Sequence, residues 1–224
     1  MCPCKRGKSK LLSELSDPGC IDSLTGIASA DGIASYEIQS KSTFRELKFP
    51  DEDDPTWPPL NRISLQDVAS WAKSVGMFER GLASSRVLRA LAAFSHVVGL
   101  TWRRDGDVLF RAMQGLEAFY CDGVGDLRRQ LSEKSKIWLG SWDDRRNMVG
   151  SLYDLRSKFV HGSAKLEFWN HHHDAWSEDG KTMKEFSYGQ TLAVRMLIAT
   201  LQRSCIENVG DLAWSYAVAP RSNA

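Results

Sequence analysis

From residue 64 onward the chain repeats apolar residues at helical spacing, and that period limits its fold more than any other feature. Val87, Leu91, Phe94 and Val98 recur at i, i+4, i+7 and i+11, which lines one face of a helix. At about 100° per residue, Arg89 and His96 fall on the opposite side and read as solvent-facing. Ser64 is placed to N-cap a helix through about residue 79. Further helices are expected over about 107–121, with Val108, Ala112, Leu116 and Phe119 inward, and over about 124–139, with Leu127, Leu131 and Trp138. The next runs from about 143 to 161 and stops at Gly162, a residue type suited to a helix C-terminus. Residues 163–184 are polar, with breaks around Asp179-Gly180, and read as irregular. A last helix over about 185–209 puts Val194, Leu197, Ile198, Leu201 and Cys205 on one face. The expected architecture is all-α, a bundle of about five to six helices spanning residues 61–215 and joined mostly by short connections.

The first 60 residues differ in kind. Residues 1–49 are rich in Ser, Gly and small side chains without a sustained helical period, so they read as an irregular arm or the remnant of another domain. Residues 50–59 hold four of the seven prolines and the acidic run Asp51–Asp54, the composition of an extended linker. Adjacent carboxylates in a linker are better read as solvated than as a metal site.

Composition narrows the function classes. Hydrophobic residues make up 42% and charged residues 25% of the 224, enough for a packed core. No run approaches the roughly 18–20 apolar residues of a membrane span, and the N-terminus lacks the apolar stretch of a secretory signal, so a cytoplasmic location is expected. The five cysteines, at 2, 4, 20, 121 and 205, are odd in number and scattered, which suits free thiols. Cys2 and Cys4 have no second Cys/His pair at metal-finger distance. A net charge of +1 gives the whole molecule no general attraction to nucleic acid, so any RNA contact must come from a local patch.

The segment Ser151-Leu-Tyr-Asp-Leu-Arg-Ser-Lys-Phe-Val-His-Gly162 holds most of the functional signal. On a helical wheel Met148, Val149, Leu152, Leu155, Phe159 and Val160 fill one arc, and Arg156 lies inside it. An inward arginine is expensive unless paired. Its partner is an internal carboxylate, a bound phosphate or an oligomer interface, and Glu117, at the edge of its own helix's apolar arc among Phe110, Met113 and Tyr120, is the internal candidate. A purely structural Arg156–Glu117 pair is the competing reading.

The spacing Arg156-x4-His161 resembles the Arg-x4-6-His signature of the HEPN superfamily. The surrounding Leu-Arg-Ser-Lys-Phe-Val-His-Gly is similar to the ApeA-like branch found in bacterial defence proteins. Leu-Glu-Ala-Phe at 116–119, Gly-Asp-Leu-Arg-Arg-Gln-Leu at 125–131, Trp138-Leu-Gly and Asp144-Arg-Arg add to the likeness, which covers about residues 85–210. The resemblance implies a HEPN-like fold and metal-independent RNA cleavage without a cofactor. In that reaction the ribose 2′-OH attacks the adjacent phosphorus and leaves a 2′,3′-cyclic phosphate and a 5′-OH. Arg156 and His161 are then the catalytic pair, with Glu117, Tyr153 and Ser157 in support. A histidine suits proton transfer near neutral pH, and a guanidinium fork suits two phosphate oxygens. The implied partners are an RNA substrate, a second copy of the chain, and an antitoxin or other defence component.

Two residues five apart lie about 140° apart around an ideal helix and about 7.5 Å along it. Convergence on one phosphate therefore needs either a distorted last turn or a symmetric dimer that pools two Arg–His pairs. Lys158, Arg128, Arg129, Arg145 and Arg146 are candidates for a phosphate-binding rim, against a solvated face interleaved with Asp143, Asp144 and Asp154. Trp169, His171, His172, His173 and Trp176 offer a surface on which bases could stack. The alternative function is a non-catalytic HEPN module for dimerisation or partner binding.

Overall fold

The computed structural model describes residues 11–18, 47, 55–79, 81–99, 106–123, 125–142, 147–165 and 178–215. These residues form an all-α bundle, with no strand among them. Its helices are α1 (Leu65–Ser74), α2 (Arg86–Gly99), α3 (Asp107–Tyr120), α4 (Leu127–Leu139), α5 (Met148–Val160) and α6 (Glu178–Ile206). Residues 11–16 are also helical. No helix of the described residues is long and apolar enough to cross a membrane.

Helices α2, α3 and α6 make the centre. The stripe Val87, Leu91, Phe94 and Val98 is buried and faces Val108, Ala112, Leu116 and Phe119, while Arg89 and His96 stand exposed. Gly115 lies where α3 packs tightly against both α2 and α6. A Cβ there would lie 2.9 Å from Leu197 Cδ1 and 3.0 Å from the Ala93 Cβ.

Helix α6 is buried on all sides from Gly189 to Gln202. Two of its polar residues, Arg195 and Gln202, bond to the chain that precedes α1. Gln202 donates to the carbonyls of Leu15 (3.0 Å) and Asn61 (2.7 Å) and accepts from the Asn61 N–H (2.9 Å). Arg195 Nε donates to the Pro58 carbonyl at 2.7 Å. Residues 11–16, expected to be irregular, are helical and bury Leu11 and Leu15 in the common core.

Helix ends follow local chemistry. Ser64 accepts from the Asp67 N–H at 3.0 Å and caps α1 as expected. That helix stops at Ser74 rather than near 79. Gly76, at φ +81°, closes a Schellman motif in which the Met77 N–H reaches the Ala72 carbonyl and the Gly76 N–H reaches that of Lys73, both at 3.0 Å. At the other end of the chain, α6 starts at Glu178, earlier than the break signals at Asp179-Gly180 imply. A glycine in a first turn interrupts few intrahelical bonds. Helix α4 begins at Leu127 rather than 124, and Leu127 is only half-buried.

Candidate active site

Helix α5 is pinned by two close approaches. Leu155 packs on Gly189 of α6, where a Cβ would sit 2.4 Å from Leu155 Cδ2. Phe159 packs on Gly106, which enters α3 at φ +76° and leaves no space for a Cβ. The Phe159 ring also lies 6.3 Å from that of Phe186. With Val149 and Leu152 buried, this fixes the rotation of α5 about its axis. Val160, expected in the apolar arc, is 44% exposed, because it lies at the edge of the arc centred on Leu152 and Arg156.

Arg156 therefore faces α3, as its wheel position implies. Its Nη2 lies 3.4 Å from Glu117 Oε2, with the two side chains 23% and 17% exposed, and its guanidinium carbon lies 6.0 Å from the Phe110 ring centre. The contact is long and single, unlike the two-bond fork an arginine makes with a well-placed carboxylate. Arg156 Nε and Glu117 Oε1 are both buried without a hydrogen-bond partner. Burial pushes the Glu117 carboxyl above its ordinary pKa, against the opposing pull of Arg156. Burial and the nearby Glu117 charge push the Cys121 thiol up to about 11, so Cys121 is no ready nucleophile.

His161 is the C-cap of α5 and is exposed. Gly162, at φ +71°, takes the left-handed position behind it. The Ser163 N–H bonds the Lys158 carbonyl at 2.9 Å and the Gly162 N–H that of Phe159 at 3.2 Å, a second Schellman closure. The His161 N–H makes a regular i→i−4 bond to the Ser157 carbonyl at 3.0 Å. The last turn is thus undistorted, which removes one of the two routes to convergence. Within a single chain Arg156 points at α3 while His161, about 140° round the helix, does not.

The remaining candidates divide in two. Tyr153 and Ser157 are half-buried on α5, Tyr153 against the core. Arg128 pairs with Asp154 of α5 at 3.2 Å, and Arg129 pairs with Asp126 at 3.1 Å, so both are engaged by acidic neighbours on exposed surface. Lys158 is exposed and borders a groove of about 450 Å³ between α5 and α6, together with Ser151, Asp154, Glu185 and Tyr188. Sequence reasoning missed this groove. Its signal is Gly189, which interrupts a helix where only a close neighbour explains a missing side chain. Arg145, Arg146, Asp143, Asp144, the Trp169–Trp176 segment, Cys2, Cys4, Cys20 and the acidic run of the linker lie outside the described residues. Among the described residues no group of three His, Cys, Asp or Glu is arranged to hold a metal ion.

Fold and site together define an all-α bundle with an inward arginine–glutamate pair on a helix that ends in His-Gly. No family model matches the chain, and no curated protein or solved structure matches it.

Proposed function

We propose that the chain is a metal-independent endoribonuclease of the HEPN class, acting in bacterial antiviral defence or as a toxin. What supports the reading is the placement of Arg156: an arginine in the buried arc of a helix, incompletely paired, five residues before an exposed histidine at the helix end. In the proposed reaction the 2′-OH attacks phosphorus, the P–O5′ bond breaks, the 2′-OH proton is taken up and the 5′-oxygen gains one. His161 serves these proton transfers and Arg156 the charge on the phosphorane oxygens. Because the two diverge within one chain, the active form is a homodimer whose cleft combines Arg156 of one copy with His161 of the other.

The purified protein is expected to cut RNA in excess EDTA and to leave 2′,3′-cyclic phosphate ends, detected by mass spectrometry. His161→Ala should lower the rate by roughly 10²–10⁴, the usual worth of a positioned proton-transfer group. Full activity in that variant would sink the assignment. One observation favours a second reading, a non-catalytic HEPN module for dimerisation or partner binding: Arg156 already has a carboxylate partner inside its own chain. A protein that dimerises in sedimentation yet produces no cyclic phosphate ends would establish that alternative.

A further inference from the structure

The Arg156–Glu117 contact is unfinished on both sides. Only Nη2 and Oε2 meet, at 3.4 Å, while Arg156 Nε and Glu117 Oε1 are buried with no partner. Arginine–carboxylate pairs frequently close as a fork that uses all four atoms, and this one does not. Neither side chain is fully buried, with 23% of Arg156 and 17% of Glu117 exposed. The carboxylate is also a weak holder, because burial works against its charge. Phe110 gives the guanidinium a flat surface along which to turn without losing all its contacts.

We propose that Glu117 is a brake on Arg156: in the free chain it holds the guanidinium inward, and an RNA phosphate must displace the carboxylate before Arg156 can bind it. The idea rests on the ribonuclease reading for its substrate but not for its geometry. Glu117 is a positioning residue here, because it acts through Arg156 and not on the RNA. Its effect falls on binding, since a competent state that is only partly populated weakens apparent affinity by the populated fraction.

Two measurements test it on the full chain. The first is cleavage kinetics in EDTA for the wild type, Glu117→Gln and His161→Ala. The second is the affinity for a 2′-O-methyl RNA oligonucleotide, which lacks the attacking hydroxyl and reports binding alone. Glu117→Gln is expected to lower KM and Kd roughly three- to tenfold with kcat little changed, as when a competing conformation is removed. The gain should vanish in Glu117→Gln/Arg156→Ala. Glu117→Asp withdraws the carboxylate by one methylene and should shift both constants the same way by less, so the test survives a Gln variant that misfolds. If the wild type cuts RNA, His161→Ala does not, and Glu117→Gln leaves KM unchanged or raises it, the brake is refuted and the nuclease reading stands. If no form cuts RNA but Glu117→Gln tightens oligonucleotide binding through Arg156, the brake stands and the nuclease reading falls. No gain in either measurement refutes the brake.

Discussion

Arg156 is where the stability of single residues and the chemistry of the site meet. Replacing it with methionine keeps the packing against Phe110 but leaves Glu117 in the protein interior without its cation. The expected loss at neutral pH is about 1–3 kcal/mol, the range for a buried polar group stripped of its partner. The pH dependence follows from the direction of the Glu117 shift. Its folded pKa lies above the ordinary 4.5, so the native state binds the proton more tightly than the unfolded chain. Stability therefore falls as pH rises from 4.5 to the raised folded-state value, and the deficit is constant beyond it. Arg156 opposes this shift, and its removal widens the window upward. Arg156→Met should thus be most destabilising at pH 7 and least below 4.5, where Glu117 is protonated in both states. Urea unfolding across that range checks it, and a loss independent of pH would mean that the pair is not what the arginine contributes. The inward arginine and its partner were legible in the sequence, because a wheel position and a helix-edge glutamate each pointed to the other. The incompleteness of the contact was not, since it depends on a fraction of an ångström between two packed helices.

At the scale of elements, helix ends were legible where one residue dictates backbone conformation and illegible where no such residue and no apolar period marks them. Ser64 and Gly162 mark ends because a side-chain acceptor and a left-handed φ are local properties. The stop at Ser74 has the same origin in Gly76, which the apolar pattern continuing to Met77 and Phe78 masks. The early start of α6 at Glu178 is the opposite case: residues 181, 184 and 185 are exposed, so no apolar period marks that part of the helix in the sequence. The closure after α5 has a consequence for the site. His161 keeps its place because Gly162, at φ +71°, lets the chain turn back so that the Ser163 and Gly162 N–H groups reach the Lys158 and Phe159 carbonyls. Nothing lies within 4 Å of where a Gly162 Cβ would be, so a larger residue meets no steric obstacle and any loss is backbone strain. Gly162→Val should therefore lower stability by about 1–2 kcal/mol, as expected for a side chain in the left-handed region. On the ribonuclease reading it should also depress kcat, because the histidine is carried by the turn that the strain loosens. Gly162→Asn, which tolerates that φ, should recover most of both. A valine variant as stable as the wild type would show that the turn is not what holds the end of α5.

The whole molecule turns on what covers α6. A helix with Arg195 and Gln202 among its apolar residues reads from sequence as one-sided, with solvent on the polar side. In the fold that side is closed by residues 11–18 and 55–64. Their contribution was hidden because it runs partly through backbone carbonyls, which any sequence supplies, and partly through apolar stretches too short to show a sustained period. Gln202 joins both segments to the bundle: it is fully buried, donates to Leu15 and Asn61 and accepts from Asn61. Gln202→Leu conserves volume but strands two carbonyls and one N–H. Each unmet group costs about 1–3 kcal/mol, partly relieved if the segments lift into water, so a net loss of about 2–4 kcal/mol is expected. The route of that relief makes the experiment diagnostic. If the segments are part of one cooperative core, denaturant unfolding stays a single transition with an unchanged m-value and a lower midpoint. If they release first, amide exchange at residues 11–18 and 61–64 should accelerate in the variant while the α2–α3 core keeps its protection. A loss below about 0.5 kcal/mol with neither change would mean that the bonds of Gln202 to the N-terminal segments do not stabilise α6.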